Sequence, residues 1–268
     1  MPVLLHASTD LSNMCHRREA FFDVNEVAKF FDEVEANIAA LKSETDLQAL
    51  SRVWLRLALE KRYPYNFTWL GRPIIQFPTD ILAIQEIIWR TKPDVIVETG
   101  IAHGGSLIFS SSMLSLLPGE GRVIGVDIDI RKHNREEIEK HPMGKRITLL
   151  EGSSVANDIV AQVTRLVGKG ERVLVILDSN HTHEHVLQEL QLYSPFVRAG
   201  GYLVVLDTII EDLPADAYPN RPWRKGANPK TAVWEFLRSN DRFRIDRDLE
   251  AKLLITGAPD GYLECIKN

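Results

Sequence analysis

The chain has 268 residues, of which 44% are hydrophobic and 26% charged, and this length and composition fit one large globular domain rather than a fibrous or disordered chain. A formal net charge of -5 and a pI near 5.9 argue against nucleic-acid binding, because a phosphate backbone requires a basic protein surface. With two distant cysteines, Cys15 and Cys265, and no apolar run of roughly 18 residues, we expect a cytoplasmic protein that acts on small molecules, without membrane spans or a disulfide framework.

Apolar side chains recur at spacings of three and four residues in residues 17–62, which is typical of amphipathic helices. The positions include Val24, Val27, Phe30, Phe31, Val34, Ile38 and Leu41. We predict that residues 1–62 form a helical extension of a main domain at 63–268. Its apolar face is expected to pack on that domain or on another subunit, so a homo-oligomer is expected.

The stretch 63–80 is rich in aromatic residues and proline and lacks a clear periodicity. It is expected to form either the wall of a binding pocket, since aromatic rings offer rigid contact area, or a connector held in place by core aromatics. Asp80 is predicted to cap the N-terminus of a helix that continues to Thr91.

From Asp94 onward, strand-like and helix-like segments alternate. Strands are predicted at 94–98, 122–128, 146–151, 173–178 and 202–207, with helices at 105–116, 131–140, 155–167 and 183–197 between them. This order implies a Rossmann-like α/β fold, with a doubly wound and mostly parallel sheet and right-handed crossovers. A closing antiparallel hairpin, which completes a seven-stranded sheet, is predicted from the short runs at 243–247, 252–256 and 261–267.

The most informative feature is an apolar strand that ends at an acid, Glu98, and enters the glycine-rich turn 100–106. Glycine permits positive φ, and the helix that begins there presents unpaired N–H groups. A carboxylate beside that helix would repel a pyrophosphate, so a cationic or zwitterionic ligand such as S-adenosylmethionine fits better. The residues expected to contact it are Glu98, Gly100, His103, Gly104 and Ser106. A turn that binds nothing is the plainer interpretation, because glycine turns alone are weak signals.

Polar residues also follow the next two strands, and open α/β sheets bind their ligands at these carboxyl ends. Asp127 is expected either to accept hydrogen bonds from the two ribose hydroxyls of an adenosine or to cap a turn. Ser153 and Ser154 are expected either to face the edge of an adenine ring or to cap the next helix.

The fourth strand leads into the densest polar cluster of the chain, which runs from Asp178 through His181, His183 and His185. Asp207 ends the fifth strand, and because these two strands are expected to be neighbours, Asp178 and Asp207 should converge. Two adjacent carboxylates require a shared cation or proton, and hard oxygen ligands favour Mg²⁺ or Ca²⁺ over zinc. His181 is expected to face the same pocket. The alternative for this cluster is helix capping, with His183 and His185 exposed on the first turn of the fourth helix.

A basic and aromatic stretch, 220–237, follows the fifth strand. Trp223 is suited to stacking on a sugar or another flat substrate, and Arg221, Arg224 and Lys225 are suited to holding an acidic or hydroxylated one. The segments 63–80 and 209–228 are therefore predicted to be the loops that select the acceptor. A solvated loop without function is the alternative.

Four segments together resemble the cephalosporin hydroxylase family, a group of S-adenosylmethionine-dependent O-methyltransferases that includes rhamnosyl and macrolide sugar methyltransferases. These segments are Asn66-Phe-Thr-Trp-Leu-Gly-Arg-Pro-Ile-Ile-Gln76, Glu98-Thr-Gly-Ile-Ala-His-Gly-Gly-Ser106, Asp178-Ser-Asn-His181 and Asn228-Pro-Lys-Thr-Ala232. The resemblance spans residues 65–237. It implies Glu98 and Gly100 at the methionine part of the cofactor, Asp127 at the ribose, Mg²⁺ held partly by Asp178 and Asp207, and His181 as general base.

One residue departs from the family pattern. Leu206 stands immediately before Asp207, where family members have an acid, and a leucine cannot bind a metal ion. The metal site is therefore lost, weakened, or completed by Glu211, Asp212 or water, and these alternatives stay open.

The predicted function is methyl transfer from S-adenosylmethionine to a hydroxyl group of a sugar, glycoside or natural product. Asp178 and His181 are the expected catalytic residues. One alternative is a NAD-dependent oxidoreductase on a similar sheet, which Glu98 and the missing G-x-G-x-x-G motif disfavour. The other is a non-catalytic cofactor-binding protein, an interpretation that Leu206 favours.

Overall fold

The computed structural model describes residues 24–268, so the predictions for residues 1–23, including Cys15, lie outside the described residues. Helices α1 (Val24–Ser43) and α2 (Thr45–Glu60) come first. Leu55 of α2 is buried in a small cluster with Phe77, Ile209 and Leu213. The exposed large apolar side chains of these helices are Val27, Phe30, Phe31, Leu47, Leu50, Val53, Trp54 and Leu57. The division of the chain after residue 62 stays a prediction.

The segment 63–80 folds as a short 3-10 turn (Tyr63–Asn66) and a two-stranded hairpin, β1 (Phe67–Trp69) and β2 (Arg72–Ile74). Helix α3 (Pro78–Thr91) follows, with Phe77 at the N-cap, so the prediction that Asp80 caps this helix is wrong. Pro78 suits the first helical turn, where its missing N–H has no intrahelical partner to lose. Asp80 instead lies inside the first turn, and its buried carboxylate binds groups of a distant segment.

Seven strands form the main sheet, in the order β5-β4-β3-β6-β7-β9-β8. They are β3 (Val95–Thr99), β4 (Arg122–Asp127), β5 (Ile147–Glu151), β6 (Val173–Leu177), β7 (Tyr202–Val205), β8 (Phe243–Ile245) and β9 (Tyr262–Cys265). The five strands from β3 to β7 run parallel, whereas β9 is antiparallel to both β7 and β8. Successive strands extend outward from β3 in one direction and from β6 in the other, so the switch point of the sheet lies between these two strands.

Helices cover both faces of this sheet. They are α4 (Gly105–Ser115), α5 (Lys132–Lys140), α6 (Asn157–Leu166), α7 (His183–Tyr193), α8 (Pro229–Ser239) and α9 (Arg247–Leu253). Strand β3 shows how the core is divided: Ile96 packs in the cluster with α3 and α4, whereas Val95 and Val97 pack in the cluster with α6, α7 and α8. Side chains alternate between the two faces of a strand, so a strand covered on both sides is apolar throughout.

The prediction of a strand at 252–256 is wrong. This run contains the end of α9, whose N-cap residue Asp246 accepts a hydrogen bond from Leu249 N at 3.0 Å. Leu249 and Leu253 are four residues apart and both buried, which is the spacing of one helix face. The closing strands are therefore β8 and β9 alone, and they pair antiparallel as predicted.

The structure confirms the predicted doubly wound, mostly parallel sheet of seven strands with helices at the N-terminal side. Within residues 24–268, no helix is both long enough and apolar enough to cross a membrane.

Candidate active site

A cavity of about 380 Å³ opens at the carboxyl ends of β3, β4, β6 and β7, beside the switch point of the sheet. Its lining comes from the turn after β3, from the ends of the other strands, from segment 63–80 and from the loop after β7. The polar lining residues include Tyr65, Gln76, Asp80, His103, Ser106, Asp127, Asp178, Ser179, His181, Asp207, Tyr218, Arg221 and Trp223.

Glu98 is completely buried at the end of β3. Its Oε1 accepts a hydrogen bond from the hydroxyl of Ser106, which lines the cavity, whereas its Oε2 has no hydrogen-bond partner among residues 24–268. Burial raises the pKa of this carboxyl to about 7, and the hydrogen bond from Ser106 offsets only part of that shift. A positively charged group close to this unpaired oxygen would stabilise the ionised form of the Glu98 carboxyl.

Gly100 has a φ of +88°, as the glycine-rich turn predicted. A Cβ atom at this position would lie 2.0 Å from the backbone oxygen of Asp178, so the missing side chain lets the ends of β3 and β6 approach each other. Gly104 also has positive φ, +81°, and its missing Cβ makes room for Ile138. These glycines therefore bring neighbouring segments together, and Gly100 also lines the cavity.

Asp127 lies at the end of β4 and lines the cavity. Its Oδ2 accepts hydrogen bonds from Ile101 N at 2.7 Å and Ala102 N at 3.4 Å, and its Oδ1 accepts one from Asp129 N at 3.1 Å. The carboxylate thus holds the glycine-rich turn, in agreement with the turn-capping interpretation. It also faces the cavity, so both interpretations of this residue remain compatible with its position.

Asp178, His181 and Asp207 come together, as the strand order predicted. One potential ligand atom from each of these side chains lies within 4.8 Å of the other two. His181 Nε2 is 3.0 Å from Asp207 Oδ2. Burial, and then the nearby charges of Asp207 and Glu98, hold the pKa of Asp178 well above its usual range. A cation bound among these three side chains would therefore stabilise the ionised carboxylates.

Asp207 has a φ of +56°, a left-handed conformation that is unfavourable for a residue with a side chain. The next two residues are bound to the turn that precedes β9. Thr208 Oγ1 donates to Pro259 O at 2.6 Å, and Ile209 N donates to Gly257 O at 3.2 Å. These contacts fix the turn that presents the Asp207 carboxylate to Asp178 and His181.

Asp80 binds the turn that precedes β9. Its Oδ1 accepts from Thr256 Oγ1 at 2.5 Å and Tyr262 OH at 2.8 Å, and its Oδ2 accepts from Gly257 N at 2.8 Å. Burial raises the pKa of Asp80 to about 6, and these three hydrogen bonds limit the increase. Asp80 thus positions the turn against which the Asp207 turn packs.

Ser153 and Ser154 do not line the cavity. The hydroxyl of Ser154 donates to Glu189 Oε1 at 2.6 Å, and Ser179 Oγ donates to the same oxygen at 2.7 Å. His185 Nε2 lies 3.0 Å from Ser154 Oγ, so it belongs to this buried network rather than to an exposed turn. The network joins the loop after β5 to the loop after β6.

His183 is held by α8, with Nδ1 2.8 Å from Thr231 Oγ1 and Nε2 3.2 Å from Glu235 Oε2. Like His185, it lies outside the cavity lining.

Leu206 is 5% exposed and packs in the core cluster with α3 and α4. The two acids considered as replacements for a ligand at Leu206 have other partners. Glu211 Oε2 accepts hydrogen bonds from Gly226 N at 2.7 Å and Asn228 Nδ2 at 2.5 Å, and Asp212 pairs with Lys230. Glu211 and Asp212 line a second cavity on the other side of this loop. They are therefore engaged away from Asp178 and Asp207.

The loop after β7 contributes Arg221 and Trp223 to the cavity, whereas Arg224 lies outside it and Lys225 lines the second cavity. The Trp223 and His181 rings meet edge to face, with centroids 4.8 Å apart. Tyr65, from segment 63–80, lines the same cavity. Both predicted acceptor segments thus reach the site.

Sequence reasoning did not identify several residues of this region. Gln76 lines the cavity with a buried Oε1 that has no hydrogen-bond partner, and Glu189 joins the two loops. Asp80 was interpreted as a helix cap. The available signal for Asp80 was a polar residue beside the apolar run of α3, because buried polar groups need hydrogen-bond partners. Helix α7 is polar over most of its length, so Glu189 had no such signal.

Solved structures of methyltransferases share this fold. A structure of CmcI with Mg and SAM has a TM-score of 0.52 at 20% identity and covers 75% of this chain and 77% of its own. An O-methyltransferase from Bacillus cereus in complex with SAH has a TM-score of 0.50 at 12% identity and covers 88% and 91%. The sheet order and the position of the cavity thus define the class I methyltransferase fold.

Sequence comparison identifies the family within this class. Residues 61–266 match the family model described as Rhamnosyl O-methyltransferase/CmcI. The Rhamnosyl O-methyltransferase of Mycobacterium leprae (strain TN) is 30% identical over 198 residues, which cover 73% of this chain and 82% of the relative. The chain belongs to the Rhamnosyl O-methyltransferase/CmcI family, which confirms the resemblance seen in the sequence.

Proposed function

We propose that the chain transfers the methyl group of S-adenosylmethionine to a hydroxyl group of a sugar, glycoside or other small molecule, with the help of a divalent cation. It is an S-adenosylmethionine-dependent O-methyltransferase, and membership of the family supports this activity and a hydroxyl-bearing acceptor. The observation that carries the proposal is the acidic floor of the cavity. Carboxyl groups of Asp80, Asp178 and Asp207 line the cavity, and that of Glu98 is buried beside the lining residue Ser106. Within residues 24–268, no lysine or arginine forms an ion pair with any of the four.

The residues at the end of β3 fit the cofactor. Glu98 has an unpaired, buried carboxyl oxygen, and a positive group nearby would stabilise its charged form. The sulfonium and ammonium groups of S-adenosylmethionine provide positive charge. Glu98, Ser106 and the backbone of the turn 100–103 would hold the methionine part.

Asp127 would hold the ribose. Its Oδ1 accepts one hydrogen bond, from Asp129 N, and a carboxylate oxygen can accept a second. Gly104, Ser153 and Ser154 lie outside the cavity lining, whereas His103 lines it beside the turn.

The donor atoms near Asp178 fit a hard divalent cation. Mg²⁺ is commonly bound through one or two carboxylates and keeps several waters, so the carboxylates of Asp178 and Asp207 suffice without an acid at Leu206. This arrangement favours the intact-site alternative, in which water completes the coordination. When bound, the cation would orient the acceptor hydroxyl and lower its pKa.

S-adenosylmethionine, when bound, supplies an electrophilic methyl group on its sulfonium. The protein must then orient the acceptor and remove its proton. His181 would accept this proton, and its Nε2 lies 3.0 Å from Asp207 Oδ2, so the ring faces the cluster and Asp207 would stabilise its protonated form. Trp223 packs against the His181 ring and fixes its orientation, while Trp223 and Tyr65 offer flat surfaces to a sugar.

The relatives named Rhamnosyl O-methyltransferase make a rhamnoside a reasonable first acceptor to test. A homo-oligomer and a cytoplasmic location also belong to this proposal. The exposed apolar side chains of α1 and α2, among them Phe30, Phe31 and Leu50, support the oligomer, because such patches mark interaction surfaces.

The direct test is transfer of a labelled methyl group to a panel of glycosides, including rhamnosides, with and without EDTA. We expect transfer that stops with EDTA and returns with Mg²⁺. Transfer that EDTA does not affect would contradict the metal role alone. Titration calorimetry with S-adenosylhomocysteine and with NAD separates the enzyme classes: binding of NAD only would favour the oxidoreductase, and cofactor binding without any transfer would favour the non-catalytic protein.

A further inference from the structure

The loop after β7 carries an unusual excess of positive charge. Residues 217–234 contain no aspartate or glutamate but contain Arg221, Arg224, Lys225 and Lys230. Lys230 is buried and pairs with Asp212 at 2.7 Å. The other three cations form no ion pair with any residue of the described chain, although the protein carries a net charge of -5. This segment is therefore a local positive patch in an acidic protein.

Arg221 is the member of this patch that lines the main cavity. Among the lining residues that the structure describes, it is the one lysine or arginine. Its guanidinium carbon lies 5.1 Å from the centre of the Trp223 ring, an arrangement typical of a cation–π contact. Stacking on Trp223 holds the charge at the cavity wall and leaves its N–H donors without a carboxylate partner.

The position of Trp223 relates this charge to the reacting group. Its ring centre is 4.8 Å from that of His181 and 5.1 Å from the Arg221 guanidinium carbon. The Arg221 guanidinium carbon and the ring centre of His181, the proposed base, therefore lie within about 10 Å of each other, and both groups contact the Trp223 ring. A sugar ring with one substituent can span this distance, so both groups can contact the same acceptor.

The chemistry of arginine indicates which kind of substituent on the acceptor sugar it would bind. Its planar guanidinium presents paired donors that match the oxygens of a carboxylate or phosphate. Arg221 is exposed, so a neutral acceptor would leave its charge to water, whereas an anionic group on the acceptor would pair with it. The carboxylates of Asp178 and Asp207 would repel that group, so the acceptor would bind with its anionic group at Arg221 and away from them.

We propose that Arg221 and Trp223 form an anion-recognising acceptor subsite and that the acceptor is a sugar with a carboxylate or phosphate group near the methylated hydroxyl. Trp223 stacks on the sugar ring, and Arg221 binds the anionic group. This inference rests on the proposed methyltransferase function and adds the charge of the acceptor to it.

The test compares matched acceptors that differ in charge: methyl glucoside with methyl glucuronide, and methyl rhamnoside with rhamnose phosphate. The methyl glucuronide tests recognition of a carboxylate, and the rhamnose phosphate tests recognition of a phosphate. Labelled methyl transfer gives kcat/KM, and calorimetry gives the affinity for the protein saturated with S-adenosylhomocysteine and Mg²⁺. We expect at least one anionic sugar to be preferred over its neutral partner by about tenfold or more, the size of a charged hydrogen bond.

Two variants separate direct contact from the general field of the loop. Arg221→Gln should abolish this preference, because it weakens binding of the anionic sugar and changes binding of the neutral one little. Arg224→Gln removes the same charge from the same loop outside the cavity, and it should keep the preference within about twofold.

Equal loss in both variants, no anionic preference in the unaltered protein, or no binding of any anionic sugar would overturn the subsite. The affinity for S-adenosylhomocysteine should stay unchanged in both variants. Weaker cofactor binding in Arg221→Gln alone would instead assign Arg221 to the cofactor and overturn the proposal. If the unaltered protein binds no S-adenosylhomocysteine, the proposed function itself fails, which is a different outcome.

Discussion

Glu98 distinguishes this turn from one that binds a pyrophosphate. The backbone has the features of a nucleotide-binding turn, with a strand, a glycine at positive φ and a helix N-terminus. The buried carboxyl adds a negative charge where a dinucleotide would place its own. In the proposed function this unpaired oxygen favours a positively charged ligand, and the acid at the end of an apolar strand is visible in the sequence.

The pKa of Glu98 leads to a prediction for cofactor affinity. In the free protein the carboxyl titrates at about 7, and a bound cation favours its ionised form. Below pH 7 binding must therefore release a proton, so the affinity for S-adenosylmethionine should fall as the pH decreases, by up to about tenfold per pH unit. Above pH 7 the dependence should level off. Calorimetric titrations across this range measure it.

Glu98→Gln is the control for that experiment, because it keeps the shape of the side chain and cannot ionise. We expect weaker binding whose pH dependence reflects only the ligand. If the variant kept the same pH profile as the unaltered protein, Glu98 would not be the titrating group.

His181→Ala tests the proposed base. Loss of a general base typically lowers turnover by roughly 10² to 10⁴-fold, whereas affinity for S-adenosylmethionine should change little. His183→Ala is the matched control, because His183 contacts Thr231 and Glu235 outside the cavity. Steady-state kinetics and calorimetry measure both effects. Unchanged turnover in the His181 variant would refute the assignment.

At the scale of the elements, three turns form the site: the turn after β3, the turn after β6 and the turn after β7. The close approach of Gly100 to the Asp178 backbone joins the end of β3 to the end of β6. The turn at Asp207 is held in turn by the segment 256–259 and by Asp80. The site thus depends on contacts between loops that are distant in sequence.

Gly100→Ala should destabilise the fold more than Gly71→Ala does. Both glycines have positive φ, near +88°, so both substitutions carry a conformational cost of roughly 1 kcal/mol. Only at Gly100 would the new methyl group also collide with backbone, at 2.0 Å, whereas nothing lies within 4 Å of a methyl group at Gly71. Urea unfolding measures the two free energies of unfolding. Equal losses would show that the β3 and β6 ends can move apart freely.

The elements differ in how far the sequence predicted them. The parallel strands and the β3 turn were recognisable, because apolar runs of five or six residues ended at glycine or acid. Helix α9 was not, since it contributes only Leu253 to the apolar run Leu253-Leu254-Ile255, and its N-cap, Asp246, follows directly after a strand. The partners of Asp80 were not predictable either, because Thr256, Gly257 and Tyr262 are about 180 residues away in the chain.

At the scale of the whole molecule, the raised pKa values predict how stability depends on pH. Burial raises the pKa of Glu98 to about 7 and those of Asp80 and Glu250 to about 6. In the unfolded chain these acids lose their protons near pH 4, so between about pH 4 and pH 7 the folded protein binds more protons. The unliganded protein should therefore lose stability as the pH rises through this range.

Urea unfolding between about pH 5 and pH 8 measures this slope. Saturating S-adenosylmethionine should reduce it, because a bound cation stabilises the ionised Glu98. Glu98→Gln should remove part of it even without ligand. Stability that increases over this range would contradict the burial of these acids in the unliganded fold.

The arrangement of the N-terminal helices shows the limit of sequence periodicity. The pattern in residues 24–60 correctly predicted two amphipathic helices, but it could not show what covers their apolar faces. Leu55 packs on the sheet domain, whereas Phe30, Phe31 and Leu50 remain exposed. Periodicity reports that a face is apolar, and the partner of that face depends on tertiary or quaternary contacts.

The central claim is that a sulfonium cofactor binds against Glu98 and directs its methyl group toward the Asp178–His181–Asp207 group. The most direct measurement is a crystal structure of the protein with S-adenosylmethionine and Mg²⁺. The account predicts the methionine part beside Glu98 and Ser106, the ribose on Asp127, and the cation between Asp178 and Asp207. A cofactor bound elsewhere, or a cavity that stays filled by side chains and excludes it, would contradict the account.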